Sequence, residues 1–435
     1  MAQCFLKQAR IVDGTGANAV EDGILVYEKP EGKRRDGKIL YAGKEAGCPF
    51  QPQSGDEVMD LPGYTLLPGL FNVHTHLYSM DSGGYETPSL TLLYFRHLAE
   101  SLFAGVTTVR TVGGSDNIDV CLRDAIQAGM VWGPRLITCG SPILPHGGHC
   151  FRTRGGVCCS GPDEFVRAAR TEMSRGVDQI KLYYSGGAGG TAREGMFNKH
   201  ILDAEGQAVC EVSHMNGKIV SAHLSNDAAV RSAVRCGVDS VEHAYRIDRE
   251  TARMMAEHNV FYVPTLTITD VESFEEYSEI LSKGVTERLA AAHPAHMESA
   301  RYAVEAGVKK ICTGTDTLPS DRFGGTFAIT HEVELLTQVG LTPLEAIRAA
   351  TATSAELCGV EGETGALKAG LAGDILAVRG KPDQRISDLR NLEMVIHECR
   401  TVWSKVPGFE KEKAFWPGVP GETEPMGLGV NWSVE

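Results

Sequence analysis

The chain's 435 residues predict an α/β protein: a (β/α)8 TIM barrel with a small, discontinuous β-sandwich domain drawn from both chain ends. Three observations carry that expectation. From Leu67 onward, short apolar strand-like runs alternate with amphipathic helical stretches about eight times. Before Leu67 and after Gly365 the helical stretches give way to strands broken by turn residues. Histidines, a lysine and an aspartate recur at the ends of the middle strands, where barrel enzymes carry their chemistry. The expected division is residues 1–66 and 365–405 for the two parts of the sandwich, 67–364 for the catalytic barrel, and 406–435 for a C-terminal extension.

The elements follow in order. Ala9–Asp13 and Gly23–Tyr27 alternate like strands, and the charged insert from Glu28 to Asp36 reads as a solvated hairpin loop. Leu67-Pro68-Gly69-Leu70-Phe71-Asn72-Val73-His74-Thr75-His76 is a buried strand running out of a turn. Strand-like runs then recur at Val106–Arg110, Arg135–Gly140, Gln179–Tyr183, Ile219–His223, Ser240–His243, Val260–Thr265 and Lys310–Asp316. Thr342 and Pro343 supply an N-cap and a first-turn proline for a helix. Asp374–Val378 and Thr401–Trp403 return to the strand rhythm, and the tail from Val406 is rich in Pro, Gly and Trp.

Bulk properties narrow the partners. A formal net charge of −14 argues against a nucleic-acid backbone or an anionic membrane as the main partner. No charged-then-apolar leader opens the chain and no apolar run is long enough to span a bilayer, so a cytoplasmic protein is expected. The 12 scattered cysteines fit that reducing compartment. Cys150, Cys158 and Cys159 lack the paired spacing of a zinc ribbon and read as loop and packing thiols.

Alternate residues of a strand share a face, so His74 and His76 project together and suit a divalent metal such as zinc. Lys181, His223, His243 and Asp316 join them at or near strand ends, and the set would build a two-metal site. A protonated lysine has no lone pair and would repel cations. As a carbamate formed with carbon dioxide, Lys181 becomes an anionic ligand able to bridge both metals. Asp316 can hold one metal and act as general base, and His243 or His149 can stabilise the oxyanion.

The chain resembles the amidohydrolase superfamily, in the branch of imidazolonepropionase-like proteins and metal-dependent Xaa-Pro dipeptidases. The matching pieces are Pro68-Gly69-Leu70 before His74-Thr75-His76, Ile180-Lys181 before Ser185-Gly186-Gly187, Ala222-His223, Glu242-His243 and Gly314-Thr315-Asp316. Gly340–Ala346, Ala350-Thr351 and Gly365–Gly370 continue the match. The resemblance implies that His74, His76 and Asp316 bind the more buried of two metals, with His223 and His243 on the other and carboxylated Lys181 between them. It implies hydrolysis of an amide bond by a metal-bridging hydroxide, with two zinc ions as the expected cofactors and a homo-oligomer as the expected assembly.

Substrate choice falls to the surrounding residues. By the resemblance His149, in a Gly-Gly-His stretch, contacts the substrate, and Arg152 or Arg154 could pair with a substrate carboxylate. His146 reads as a loop surface residue. Tyr183 and Tyr184 are expected to line the pocket. Ser225 stands where many dipeptidase-like members carry a tyrosine, and Tyr245 could occupy similar space. The expected small-molecule substrate is a dipeptide of Xaa-Pro type or an N-acyl amino acid. The alternatives are a non-peptide amide, carbamate or phenylurea, a cyclic amide hydrolase or deaminase, and a non-catalytic scaffold.

Overall fold

The computed structural model describes residues 2–30, 37–77, 85–151, 155–188, 195–273, 281–317 and 325–413. A ring of parallel strands lies at its centre. Leu70–Thr75, Val106–Thr111 and Arg135–Ile137 form one run. Gln179–Tyr183, Ile219–Asn226, Ser240–Arg246 and Phe261–Val263 form another. Two seams join the runs. On one side Asp178 N and Gln179 N donate to Thr138 O at 2.9 and 3.1 Å. On the other, Ile311 bridges to Tyr262 in parallel, and Val73 N donates to Thr313 O at 2.9 Å. The segment 311–316 thus stands as the eighth strand, and the barrel closes as the alternation predicts.

Helices Thr87–Phe103, Pro162–Ser174, Asp203–His214, Asp227–Cys236, Lys283–Glu305 and Gly325–Gln338 accompany the ring. The apolar cluster between strands and helices runs through Leu98, Val109, Ile180, Leu182, Val220 and Val241, every one of them buried. The predicted cap at Thr342 is present: its hydroxyl accepts from Glu345 N at 3.3 Å, and Glu345 Oε2 accepts from Thr342 N at 2.8 Å. Two strands, Ile143–Pro145 and Val157–Cys159, pair with each other within what the sequence presents as a loop. Three residues are too few to show an alternation, so the pattern was silent there.

Strands from both chain ends make one mixed sheet in the order Arg400–Ser404, Leu392–His397, Ile375–Arg379, Tyr64–Pro68, Gln3–Ile11, Val20–Glu28, Ile39–Lys44, with Glu57–Asp60 also on Gln3–Ile11. Rather than two separate layers, this sheet curls back. Ile39 N donates to Leu371 O at 2.9 Å and Gly370 N to Ile39 O at 2.8 Å, wrapping the sheet around Leu6, Leu25, Ile39, Leu66, Ile375 and Met394. Among the described residues no helix is long and apolar enough to cross a membrane.

Candidate metal centre

Parallel strands bring all their C-terminal ends to one face, and the chemistry-bearing residues gather there. His74, His76 and Asp316 each offer a ligand atom, all within 4.8 Å of one another. His74 Nε2 lies 3.5 Å and His76 Nε2 3.3 Å from Asp316 Oδ1. His243 Nε2 is 3.9 Å from Asp316 Oδ2. The His223 ring stands 4.6 Å from that of His243, and His149 stacks on His223 at 4.5 Å.

In four histidines one ring nitrogen is already engaged. His74 Nδ1 meets Glu242 Oε2 at 2.6 Å, His76 Nδ1 meets Gly113 O at 3.2 Å, and His243 Nδ1 meets the Thr265 hydroxyl at 2.6 Å. His223 Nε2 meets Gly186 O at 3.0 Å, so Nδ1 is the nitrogen it could turn to a metal. A partner on one nitrogen fixes the tautomer and aims the other, the usual arrangement around a metal. Burial pushes the His223 and His243 imidazoles well below their ordinary range, keeping both neutral with a lone pair to offer. Burial opposes ionisation of Asp316, but His74 and His76 outweigh it and hold the carboxyl well below the usual carboxylate range.

Lys181 is the anomaly. Its side chain is buried, and its Nζ has no hydrogen-bond partner among the described residues. Burial lowers it to about 8, against the opposing pull of Glu242 and Asp316. An unsatisfied ammonium at such a position costs free energy, whereas a group bearing oxygens would satisfy a metal centre. The donor set therefore fits divalent metal.

Beneath the site lies a polar floor that sequence reasoning missed. Arg110, fully buried, donates to Glu242 Oε1 at 2.7 Å, to Gln179 Oε1 at 3.0 Å and to Val73 O at 2.5 Å. Ser240 adds a hydroxyl to Glu242 Oε1 at 2.5 Å. Glu242 thus links the arginine to His74. The available signal was a charged residue within the buried part of each of two short strands.

Glu242 and His243 are neighbours, yet both face the barrel interior, which regular alternation forbids. The backbone resolves this: His243 and Ala244 adopt left-handed φ of 64° and 53°, and the register with Ile219–Asn226 slips there. Asp316 is also left-handed, at 48°. Such strain in non-glycine residues collects where a site demands a particular direction. Gly187 serves the same end by absence, since a Cβ there would lie 2.5 Å from the His149 ring and 2.7 Å from His223 Nε2.

The remaining predicted residues divide. Tyr183 faces the site, 5.4 Å from the His149 ring and 5.9 Å from that of His223. Tyr184 corrects the expectation that both tyrosines line it. As the next residue it points outward into the barrel–helix core, where its hydroxyl meets Ser232 Oγ at 2.9 Å. Tyr245 stacks on His243 at 4.9 Å, nearly parallel. Ser225 donates to Ser185 Oγ at 2.9 Å and is buried. His146 is at the surface, paired with Ser160 at 3.0 Å. Arg152 and Arg154 lie outside the described residues, as do part of the charged 28–36 insert and the tail beyond 413.

Fold and site together define a metal-dependent hydrolase acting on C–N bonds. The chain belongs to the amidohydrolase family, whose profile matches residues 65–401. It is 28% identical to ochratoxinase of Aspergillus niger over 394 residues, covering 82% of this chain and 79% of that enzyme. The crystal structure of A. niger ochratoxinase superposes with a TM-score of 0.78 at 26% identity, over 92% of this chain and 95% of that one. A Xaa-Pro dipeptidase crystallised with methionine in its active site gives a TM-score of 0.80 at 28% identity, over 92% and 99% of the two chains.

Proposed function

We propose that the chain is a binuclear amidohydrolase of the imidazolonepropionase-like and Xaa-Pro dipeptidase branch, cleaving the amide of a dipeptide or N-acyl amino acid. Residues 67–364 are its catalytic unit, flanked by a sheet domain from 1–66 and 365–405. The observation that carries the two-metal reading is Lys181, a buried amine with no hydrogen-bond partner among the described residues, set beneath histidines whose other nitrogens are already engaged. His74, His76 and Asp316 would hold one ion, His223 and His243 the second, and Lys181 as a carbamate would span them. Two zinc ions would supply Lewis acidity and activated water.

The chain's own groups divide the remaining work. Asp316, drawn low by its histidines and still partly open to solvent, accepts the proton of the attacking water. We assign oxyanion donation to His149, because His243 is engaged at Nδ1 by Thr265 and turned at Nε2 toward Asp316. Tyr183 and Tyr245 wall the pocket against the histidine rings.

The relatives' names support amide substrates of two shapes, an Xaa-Pro dipeptide and ochratoxin. Ser225 favours a second reading. Buried against Ser185, it offers no phenol to a substrate carboxylate, so a neutral amide, carbamate or phenylurea is the competing class. The test pairs zinc content with turnover. Two zinc ions per chain are expected after reconstitution, and one would sink the binuclear reading. Hydrolysis of Xaa-Pro dipeptides and N-acyl amino acids is expected over neutral aryl amides, phenylureas and lactams. Turnover confined to the neutral compounds would transfer the assignment to the second class.

A further inference from the structure

The His243 side chain reaches the site because its backbone departs from strand geometry, with φ at 64° followed by 53° at Ala244. A non-glycine residue in the left-handed region is strained and persists only when its surroundings over-determine it. Regular pairing with Ile219–Asn226 reaches His243, opposite Leu224, and slips immediately beyond it, so the strand alone does not dictate the turn. Support comes from outside the strand, onto the carbonyl of His243 itself. His296, on helix Lys283–Glu305, approaches that oxygen with Nε2 at 3.1 Å, and the Tyr262 hydroxyl donates to the same oxygen at 3.1 Å.

We propose that His296 is a positioning residue for the active site, clamping the His243 carbonyl together with Tyr262 so that the His243 imidazole stays turned inward beside Glu242. His296 is fully buried with little freedom to do otherwise. Its Nδ1 lies 2.9 Å from the Thr269 hydroxyl, and its ring packs edge-on against Tyr245 at 4.8 Å, the same tyrosine that stacks on His243. One helical side chain therefore fixes both the backbone and the ring partner of His243. Thr269 belongs to the short helix Leu266–Thr269, which begins just after Thr265, the group that engages His243 Nδ1. Backbone direction and ring rotation of His243 are held from this one side of the barrel. Neutral imidazole suits the role, donating at Nε2 while the opposite nitrogen accepts.

The inference rests on the binuclear reading for its consequence, metal retention, but not for its geometry. Two variants separate a clamp from a space-filler. His296→Leu keeps bulk and removes both hydrogen bonds, whereas His296→Gln can still donate from its amide toward the His243 carbonyl. Crystal structures of the metal-free variants read the geometry, and zinc titration against a chelating competitor reads the consequence. In His296→Leu the His243 ring is expected to leave its inward orientation and the weaker zinc site to lose at least tenfold in affinity, with His296→Gln close to the parent. An unmoved His243 in the Leu variant overturns the clamp whatever the zinc count, while one zinc ion in the parent sinks only the binuclear reading. Should His296→Leu not fold, Tyr262→Phe removes the second hydrogen bond alone. A smaller loss of zinc affinity is expected there, and an unchanged value with an unmoved ring overturns the clamp.

Discussion

Burial lowers the Lys181 amine to about 8, against the opposing pull of Glu242 and Asp316. An ordinary lysine near 10.4 is almost wholly protonated at neutral pH, so this shift raises the nucleophilic neutral fraction by roughly two orders of magnitude. Carbamate formation needs that neutral amine. Zinc loading in bicarbonate buffer is therefore expected to exceed loading in carbon-dioxide-depleted buffer, by a larger ratio at pH 8.5 than at pH 6.5. Lys181→Ala should remove the bicarbonate effect and lower bound zinc, and two ions retained by that variant would end the bridging role. Glu242 lies one layer below. Burial opposes its ionisation, but Arg110 and His74 prevail and hold the carboxyl far below its usual range. A depressed carboxylate contributes stability above its unfolded pKa of about 4.3, lost only as pH falls through the folded value. Glu242→Gln leaves Arg110 charged and buried, so it is expected to cost about 3–5 kcal/mol across neutral pH, read as a shift in urea midpoint. The Lys181 position was legible because a lysine inside a short buried strand is an exception worth explaining. The Arg110–Glu242 pair was not, because it joins residues 132 apart in sequence.

Strands were readable wherever a buried run was long enough to show a period, as in Gln179–Tyr183, although the run read as Ile219–His223 continues to Asn226. The reading failed where an element departs from its period. Tyr184 follows Tyr183 and so must face the helices, whereas His243 follows Glu242 yet faces inward through its left-handed φ of 64°. Sequence periodicity cannot announce such a break, since the tertiary contacts that hold it lie elsewhere. Connections between elements were equally silent. His331, on helix Gly325–Gln338, meets Asp270 at 2.7 Å, and Glu334 of the same helix pairs with Arg390 at 2.6 Å. Burial pulls His331 down, but Asp270 and Glu334 lift the imidazole to about 9. A raised histidine stabilises fully below its unfolded pKa of about 6.5, and that contribution disappears as pH rises through the folded value. His331→Gln is therefore expected to lower stability by about 1–3 kcal/mol at pH 6, given the strength of partly buried charged hydrogen bonds. At pH 10 the difference from the parent should vanish, and thermal unfolding of both proteins across this range checks it. A penalty that stays constant with pH would place the effect in packing instead.

At the scale of the molecule, the barrel and the sheet share their interior. Trp403, on the last sheet strand, is buried in the barrel's apolar cluster and donates Nε1 to Phe103 O at 2.8 Å. Asp374, leading into the Ile375–Arg379 strand, accepts from Thr364 at 2.6 Å, from His397 at 2.7 Å and from Arg135, at the start of a barrel strand, at 3.2 Å. Burial disfavours the Asp374 carboxylate, yet His397 and Arg135 keep it ionised. A sheet that merely flanked the barrel would unfold on its own, because interfaces between separable domains are smaller and more polar. This junction puts a large aromatic and a fully satisfied carboxylate in the core instead, so the two parts should melt as one. Trp403→Ala is expected to cost about 3–5 kcal/mol by opening a cavity between them. The cost should appear in one transition, seen identically by tryptophan fluorescence and by far-ultraviolet circular dichroism. Two separated transitions, or a barrel that melts at the parent temperature in Trp403→Ala, would show that the catalytic barrel stands without the sheet. A single lowered transition would mean that the closing strands near residue 400 help stabilise the barrel that carries the candidate ligands His74, His76 and Asp316.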